Sequence, residues 1–229
     1  MKIAILGTGT VGRTLAAKLI DLDYDIMIGT RNVAEKIAST ATDMYGNPPF
    51  SEWILSNPKV KLGTFAEVAA FGEFIINATF GSNSVKALIL SGAKNLAGKV
   101  LLDISNPLDF SGETPVLLQG LNNTNSLAEE IQNTFPDVMV VKSLNTMWTG
   151  LMVNPDLLGN GDHINYICGN KSEAKAKVEK LLHQFGWKNE NIMDLGDITA
   201  ARATEALLPI WIRVMGTLKT PVFNFKIVR

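Results

Sequence analysis

Three glycines near the amino terminus, Gly7, Gly9 and Gly12, stand in the spacing G-x-G-x-x-G within "LGTGTVG". That spacing suits a place where backbone, rather than side chains, must meet an anion. The first glycine permits a tight turn, the second lets a pyrophosphate approach the chain, and the third lets a helix lie close on a strand. The anion would sit on the helix amino end, where free amides and the peptide dipoles both favour negative charge. Gly7, Thr8, Gly9, Thr10, Val11 and Gly12 are therefore candidate contacts for a dinucleotide. The motif alone is weak, and its context gives it weight. The apolar run "KIAIL" precedes it, and Val11, Leu15, Leu19 and Leu22 follow at helical spacing.

A second feature narrows the ligand. The second strand of such a unit ends beside the adenosine ribose, roughly 20 residues past the glycines, where a carboxylate would bind the 2′-hydroxyl of NAD. Here "MIGTRN" places Thr30, Arg31 and Asn32 at that point. A guanidinium attracts a 2′-phosphate that a carboxylate would repel, and the flanking polar side chains can donate further hydrogen bonds. The expected cofactor is NADP(H). Without a ligand to meet, Arg31 would be an ordinary solvated cation at a strand end.

The remaining elements must position these residues. Strand-like runs recur at "DIMIGT", 59–64, 73–79, 99–105 and 138–144, separated mostly by helical patterns, which implies right-handed crossovers and a doubly wound parallel α/β sheet of the Rossmann type. Two more runs, at 165–168 and 191–196, flank a helix expected from Ser172 to Gly186 and suggest a small carboxyl-terminal α/β subdomain. The expected division is 1–142 and 143–229. Ser126 with Glu129 three residues on reads as a capping box, and Pro136 as a stop. Pro209 should kink or divide the last helical segment. That segment's apolar residues, from Leu207 to Met215, are too many for one buried stripe and suggest a central helix or a homodimer interface. The proline-rich stretch 39–58 reads as an insertion with a short helix capped by Ser51 and Trp53 packed inward. It is either a surface elaboration or a lid.

Ligands in open α/β sheets bind beyond the carboxyl ends of the strands. The turns to inspect are therefore "ATFGS", "SNPLD" and "LNTMW". Thr79, Ser82, Asn106 and Asn145 could hold the nicotinamide ribose or carboxamide, with Ala78, Phe80 and Pro107 walling the ring; each is also ordinary turn chemistry. No acid or base stands out. His163 and His183 read as structural and solvated, and Asp103 and Asp109 have no evident partner, so no residue is assigned a catalytic or metal-ligating role. A carbonyl reductase would need a placed proton donor. Hydride transfer between stacked rings needs mainly orientation and exclusion of water.

Composition bounds the partners. The 229 residues are 46% hydrophobic, with Lys plus Arg at 21 against Asp plus Glu at 22, so no single-sign surface suits nucleic acid or a membrane. The single cysteine, Cys168, excludes an intrachain disulfide and reads as a buried thiol. No segment has the length of a membrane span, nor does the start have that of a signal peptide. A cytoplasmic protein with a small-molecule electron acceptor is expected.

With these residues in hand, the chain resembles the coenzyme F-420 (8-hydroxy-5-deazaflavin) dependent NADP reductases, whose fold also forms the cytosolic domain of six-transmembrane ferric reductases. The resemblance rests on "IAILGTGTVG", "IGTRN", "LLDISNPL", "VVKSLNTM", "YICGNKSEAK" and "MDLGDITAARATEALLPIWI". It implies hydride transfer between NADP(H) and F-420, FMN or FAD, with Gly7, Gly9, Gly12, Thr30, Arg31 and Asn32 on NADPH. Thr79, Asn106 and Asn145 then fall near the ring. The deazaflavin-reducing members are expected to carry histidine at Asn145, the ferric reductase domains asparagine. "ARATE" also matches, and Arg202 with Glu205 reads as an internal ion pair. Two other readings stand beside this one: a non-catalytic NADPH sensor, and a reductase of small imines or keto acids, which usually has a larger helical second domain.

Overall fold

The computed structural model describes residues 1–43, 46–121 and 123–228; Met44 and Tyr45, within the expected insertion, lie outside that description. Continuous apolar runs form strands because both faces of each are covered. β1 (Lys2–Leu6), β4 (Phe74–Asn77) and β5 (Val100–Asp103) are buried almost throughout. β2 (Asp25–Thr30), β3 (Lys61–Thr64) and β8 (Met139–Ser143) extend this sheet in parallel. Its strand order is β10-β9-β8-β5-β4-β1-β2-β3, with β9 (Asn165–Gly169) antiparallel to β8 and β10 (Ile192–Asp194) parallel to β9. The expected boundary at 142/143 falls inside β8, and the two later strands continue the same sheet. A two-stranded ribbon, β6 (Leu108–Asp109) with β7 (Val116–Leu117), stands apart from it.

Helices cover both faces. α1 (Thr10–Asp21) buries Leu15, Ala16 and Leu19, and α9 (Ser172–Phe185) buries Val178, Leu181 and Phe185, both within one core that also holds Ile3, Ile5 and Val141. On the opposite face α4 (Phe65–Phe71), α5 (Gly81–Ser91), the short α6 (Ala93–Leu96) and α7 (Leu127–Thr134) close a second core around Ala4, Leu6, Leu101 and Cys168. Burial pushes the Cys168 thiol up to about 12, so it stays protonated. α4 starts at a full capping box, Thr64 with Glu67. α2 (Val33–Ala38) precedes the insertion and α3 (Phe50–Leu55) is the short helix within it. Here Pro49, not Ser51, precedes the first turn, and Phe50 is the ring that packs into the core while Trp53 is half-buried beside it.

His163 is buried, with Nε2 at 2.9 Å from the Pro155 carbonyl and Nδ1 at 2.7 Å from Asn224, while His183 is exposed near the end of α9. The short α8 (Thr149–Val153) follows the turn after β8. Pro209 divides the last segment, as its missing N–H requires, into α10 (Ala201–Ala206) and α11 (Leu208–Leu218). Of α11 only Leu208 is buried; Ile210 and Leu218 are 51% and 53% exposed. Among the described residues no helix is long and apolar enough to cross a membrane.

The expected Arg202–Glu205 pair is corrected by the fold. Arg202 instead grips Glu129 of α7 with two bonds, of 2.8 and 2.5 Å, and Glu205 turns into the core. Both side chains satisfy partners far away in sequence, which outweighs a surface pairing one turn apart. At Ser126 the hydroxyl accepts from the Glu129 amide at 3.1 Å, but the Glu129 carboxylate takes the hydroxyl and Arg202 rather than the cap backbone. Burial alone would raise the Glu129 pKa; the bonds from Arg202 and Ser126 outweigh it and hold the group below its ordinary value. A depressed carboxylate stabilises above its unfolded pKa and loses that contribution as pH falls through the folded one. Glu129→Gln should therefore cost about 1 kcal/mol at neutral pH, a figure reduced for the partly exposed Arg202. The difference from wild type in urea unfolding should vanish below the carboxylate range; an undiminished difference there would refute the ion-pair account.

Candidate functional site

The glycine turn is a set of backbone contacts that side chains would forbid. Gly7 has φ +115° and donates its N–H to the Gly29 carbonyl at 3.1 Å. A Cβ on Gly12 would lie 2.1 Å from the Gly7 carbonyl oxygen, so only glycine lets α1 sit on the turn. Gly9 is different. Its conformation suits any residue, and a Cβ there would meet nothing within 4 Å, because it would project into open space at the amino end of α1. That is the cradle a pyrophosphate needs, and the residues present fit the group.

The turn opens on a groove of about 760 Å³. Gly7 through Val11 line it, as do Thr30, Arg31 and Asn32 at the end of β2. Arg31 is exposed and faces the groove. Asn32 has a further duty: its side-chain oxygen accepts the Glu35 amide at 3.1 Å and caps α2, leaving the amide hydrogens for a ligand. Lys36, one turn along α2, also lines the groove and was not anticipated, since a lysine on a six-residue helix carries no local signal. Burial first, and the nearby Arg13 second, lower its pKa.

Described residues of the expected insertion pack beside the glycine turn. Arg13 of α1 donates to the Thr8 carbonyl at 3.0 Å and to the Pro48 carbonyl at 2.6 Å, and its guanidinium lies 5.5 Å from the Phe50 ring. Thr10 donates its hydroxyl to Asp43 at 2.6 Å, and Asp43 and Ser39 both line the groove. An acidic residue thus stands beside the helix amino end.

The turn after β4 contributes Ala78, Thr79 and Phe80, with Phe110 at 5.1 Å from the Phe80 ring. Gly12, Ser82, Asn106, Pro107 and Asn145 do not line this groove. Gly12 acts through packing, and Ser82 is exposed on the first turn of α5. Asn106 and Asn145 are locked to each other: Asn145 Nδ2 donates to Asn106 Oδ1 at 2.9 Å and to the Thr204 carbonyl at 3.2 Å, and Asn106 Nδ2 donates to the Asn145 carbonyl at 2.9 Å. The pair ties the β5 and β8 turns to α10. Gly81 keeps the β4 and β5 turns together, since a Cβ there would fall 1.8 Å from the Asn106 carbonyl oxygen.

Beneath these turns lies a buried charge cluster. Lys142 donates to Asp103 at 2.7 Å and to the Ser105 carbonyl, and lies 2.8 Å from Glu205. Burial alone would lower the lysine; the two carboxylates outweigh it and hold its pKa above the ordinary value. Glu205 also accepts the Leu127 and Ala128 amides at the start of α7, at 2.8 and 3.2 Å. Burial raises its pKa despite these partners.

A doubly wound sheet with a glycine turn defines the dinucleotide-binding class of α/β folds, and comparison with known proteins agrees. The family model described as "NADP oxidoreductase coenzyme F420-dependent" matches residues 2–107. A crystal structure from Arthrobacter sp. FB24, provisionally described as an F420-dependent NADP reductase, is 52% identical with TM-score 0.94 and covers all of both chains. Metalloreductase STEAP3 of Rattus norvegicus is 30% identical over 216 residues, covering 92% of this chain, and Metalloreductase STEAP2 of Homo sapiens is 27% identical over 207 residues, covering 90%. The chain spans only 38% and 35% of the length of those two relatives. It belongs to the coenzyme F420-dependent NADP oxidoreductase family.

The two glycines should separate fold from function. Gly9→Ala should leave stability unchanged but fill the phosphate cradle, weakening NADPH binding about tenfold or more, as loss of charge-assisted bonds implies. Gly12→Ala should destabilise the fold by about 1–3 kcal/mol through overpacking. Thermal unfolding alongside calorimetry reads both; a Gly9→Ala protein with wild-type affinity would remove the pyrophosphate from this turn.

Proposed function

We propose that the chain passes hydride between NADP(H) and the ring of a flavin or an F-420-type deazaflavin. The observation that carries the cofactor half is the pair of cations, Arg31 and Lys36, lining the ribose end of the groove beside Thr30 and Asn32. The acceptor half is supported by the family's description and by the Arthrobacter relative. When bound, NADPH supplies the hydride. The chain's own part is to fix the pyrophosphate on α1, hold the 2′-phosphate with Arg31 and Lys36, and present a nicotinamide ring beyond β4 and β5, where Phe80 and Phe110 offer an exposed aromatic pair. Asn106 and Asn145 act from beneath that position by setting the turns. The site operates in the cytoplasm.

Arg31→Ala should weaken NADPH about tenfold to a hundredfold, the equivalent of one charge-assisted bond, and leave NADH nearly unchanged. Equal losses for both carriers, measured by calorimetry, would remove the 2′-phosphate from Arg31. Consumption of NADPH at 340 nm with F-420, FMN, FAD and ferric chelates then identifies the acceptor. Turnover with a flavin or deazaflavin is expected; binding without oxidation by any of them would make the chain a sensor.

We also propose that two copies pair through the carboxyl-terminal helices. Leu207, Ile210, Val214 and Leu218 repeat at three- and four-residue spacing along one stripe that this chain leaves exposed or half-buried, the pattern of a helix seam. Leu218→Asp should convert a dimer in sedimentation equilibrium to a monomer. A wild-type monomer at high micromolar concentration would defeat the idea.

A further inference from the structure

Thr79 ends a buried chain of polar side chains whose hydrogens can be assigned one by one. Lys142 donates to Asp103 Oδ2, so Asp103 is an acceptor, and its Oδ1 receives Asn77 Nδ2 at 2.7 Å and the Ser105 hydroxyl at 2.6 Å. Those bonds fix the Asn77 amide with nitrogen toward Asp103 and oxygen toward the groove. Asn77 Oδ1 then receives the Thr79 hydroxyl at 2.7 Å. The other Asn77 hydrogen goes to Ser84 Oγ, which also lies 3.0 Å from Thr79 Oγ1 and 3.1 Å from Ser105 Oγ. The single Ser84 hydrogen goes to one of those two oxygens. In either arrangement the hydrogen of Thr79 is spent inward, and only lone pairs remain for the groove.

Strand order says which half of the ligand meets that oxygen. The glycine turn after β1 holds the pyrophosphate and Arg31 after β2 the adenosine side, so the nicotinamide half runs toward β4, where Thr79 lies. We propose that Thr79 accepts a hydrogen bond from a donor on the nicotinamide nucleoside, the carboxamide N–H or a ribose hydroxyl, and that Asn77 and Asp103 are positioning residues that fix this polarity. The proposal rests on the NADP(H) reading of the groove. It also gives the Lys142 cluster a task besides stability: a fixed carboxylate sets the direction of every bond up to the ligand.

The test compares NADPH with its 3-acetylpyridine analogue, which keeps the ring carbonyl and has methyl in place of the amide nitrogen. With a carboxamide contact, wild type and Thr79→Ser should hold NADPH about three- to tenfold more tightly than the analogue, the range expected of one neutral hydrogen bond. Thr79→Val should bring the two to parity. In Asn77→Leu the oxygen that receives the Thr79 hydrogen is gone, so the hydroxyl no longer turns a fixed lone pair to the groove. The preference should fall toward one, although Thr79 itself is intact; a preference kept in Asn77→Leu would remove the positioning role. If Thr79→Val weakens both carriers equally relative to Thr79→Ser, the donor is the ribose hydroxyl. Thr79→Val that binds NADPH as tightly as Thr79→Ser would overturn the proposal and leave the cofactor reading standing, whereas wild-type protein that binds no NADPH would overturn both.

Discussion

The structure is organised around one buried cation. Lys142 has no access to solvent and would be prohibitively costly there alone, so its strand must be accompanied by Asp103 from the neighbouring strand and Glu205 from a helix more than sixty residues away. Because Glu205 also caps α7, the cluster pins together the sheet, the helix that covers it and the segment leading to the carboxyl terminus. Removing Lys142 would leave two buried carboxylates without their cation, and removing either carboxylate would cut one of the two ties from the lysine, which is why these three elements hold a single relative position.

From that fixed frame the groove follows. The β4 and β5 turns emerge directly above the cluster and are kept in contact by Gly81, while the Asn106–Asn145 pair ties in the β8 turn. The glycine turn after β1 is set separately, by the close approach of Gly12 to Gly7. A long ligand therefore meets two rigid halves, one built of backbone amides and the other of oriented side chains, with the insertion forming an outer wall through Arg13 and Thr10.

Much of this was legible in the chain. Parallel strands covered on both faces read as continuous apolar runs, so the strands at Lys2, Phe74, Val100 and Met139 carry a signal, and the glycine turn declares itself by spacing and context. What failed was whatever depended on contacts distant in sequence. Arg202 and Glu205 sit one turn apart and looked like partners, yet each is claimed by a residue on another element. Lys142 carries no signal of its own inside an apolar run, because its burial depends on two carboxylates that periodicity cannot bring together. The antiparallel sense of β9 was likewise invisible, since strand direction is set by the path of the chain between elements. Asn106 and Asn145 were found as residues, but their commitment to one another rather than to the open groove is a matter of register between two turns.

The bond from Thr10 to Asp43 has a consequence for how the site deals with salt and occupancy. A carboxylate already stationed at the α1 terminus lowers the local potential that an arriving phosphate experiences, so affinity at that point is a balance between attraction by amides and repulsion by a like charge. Mobile ions screen both, which makes retention of the carrier less sensitive to ionic strength than a bare cationic pocket would be. Any ligand that must bind and leave repeatedly is suited by such a tempered grip, because excess tightness would slow its departure.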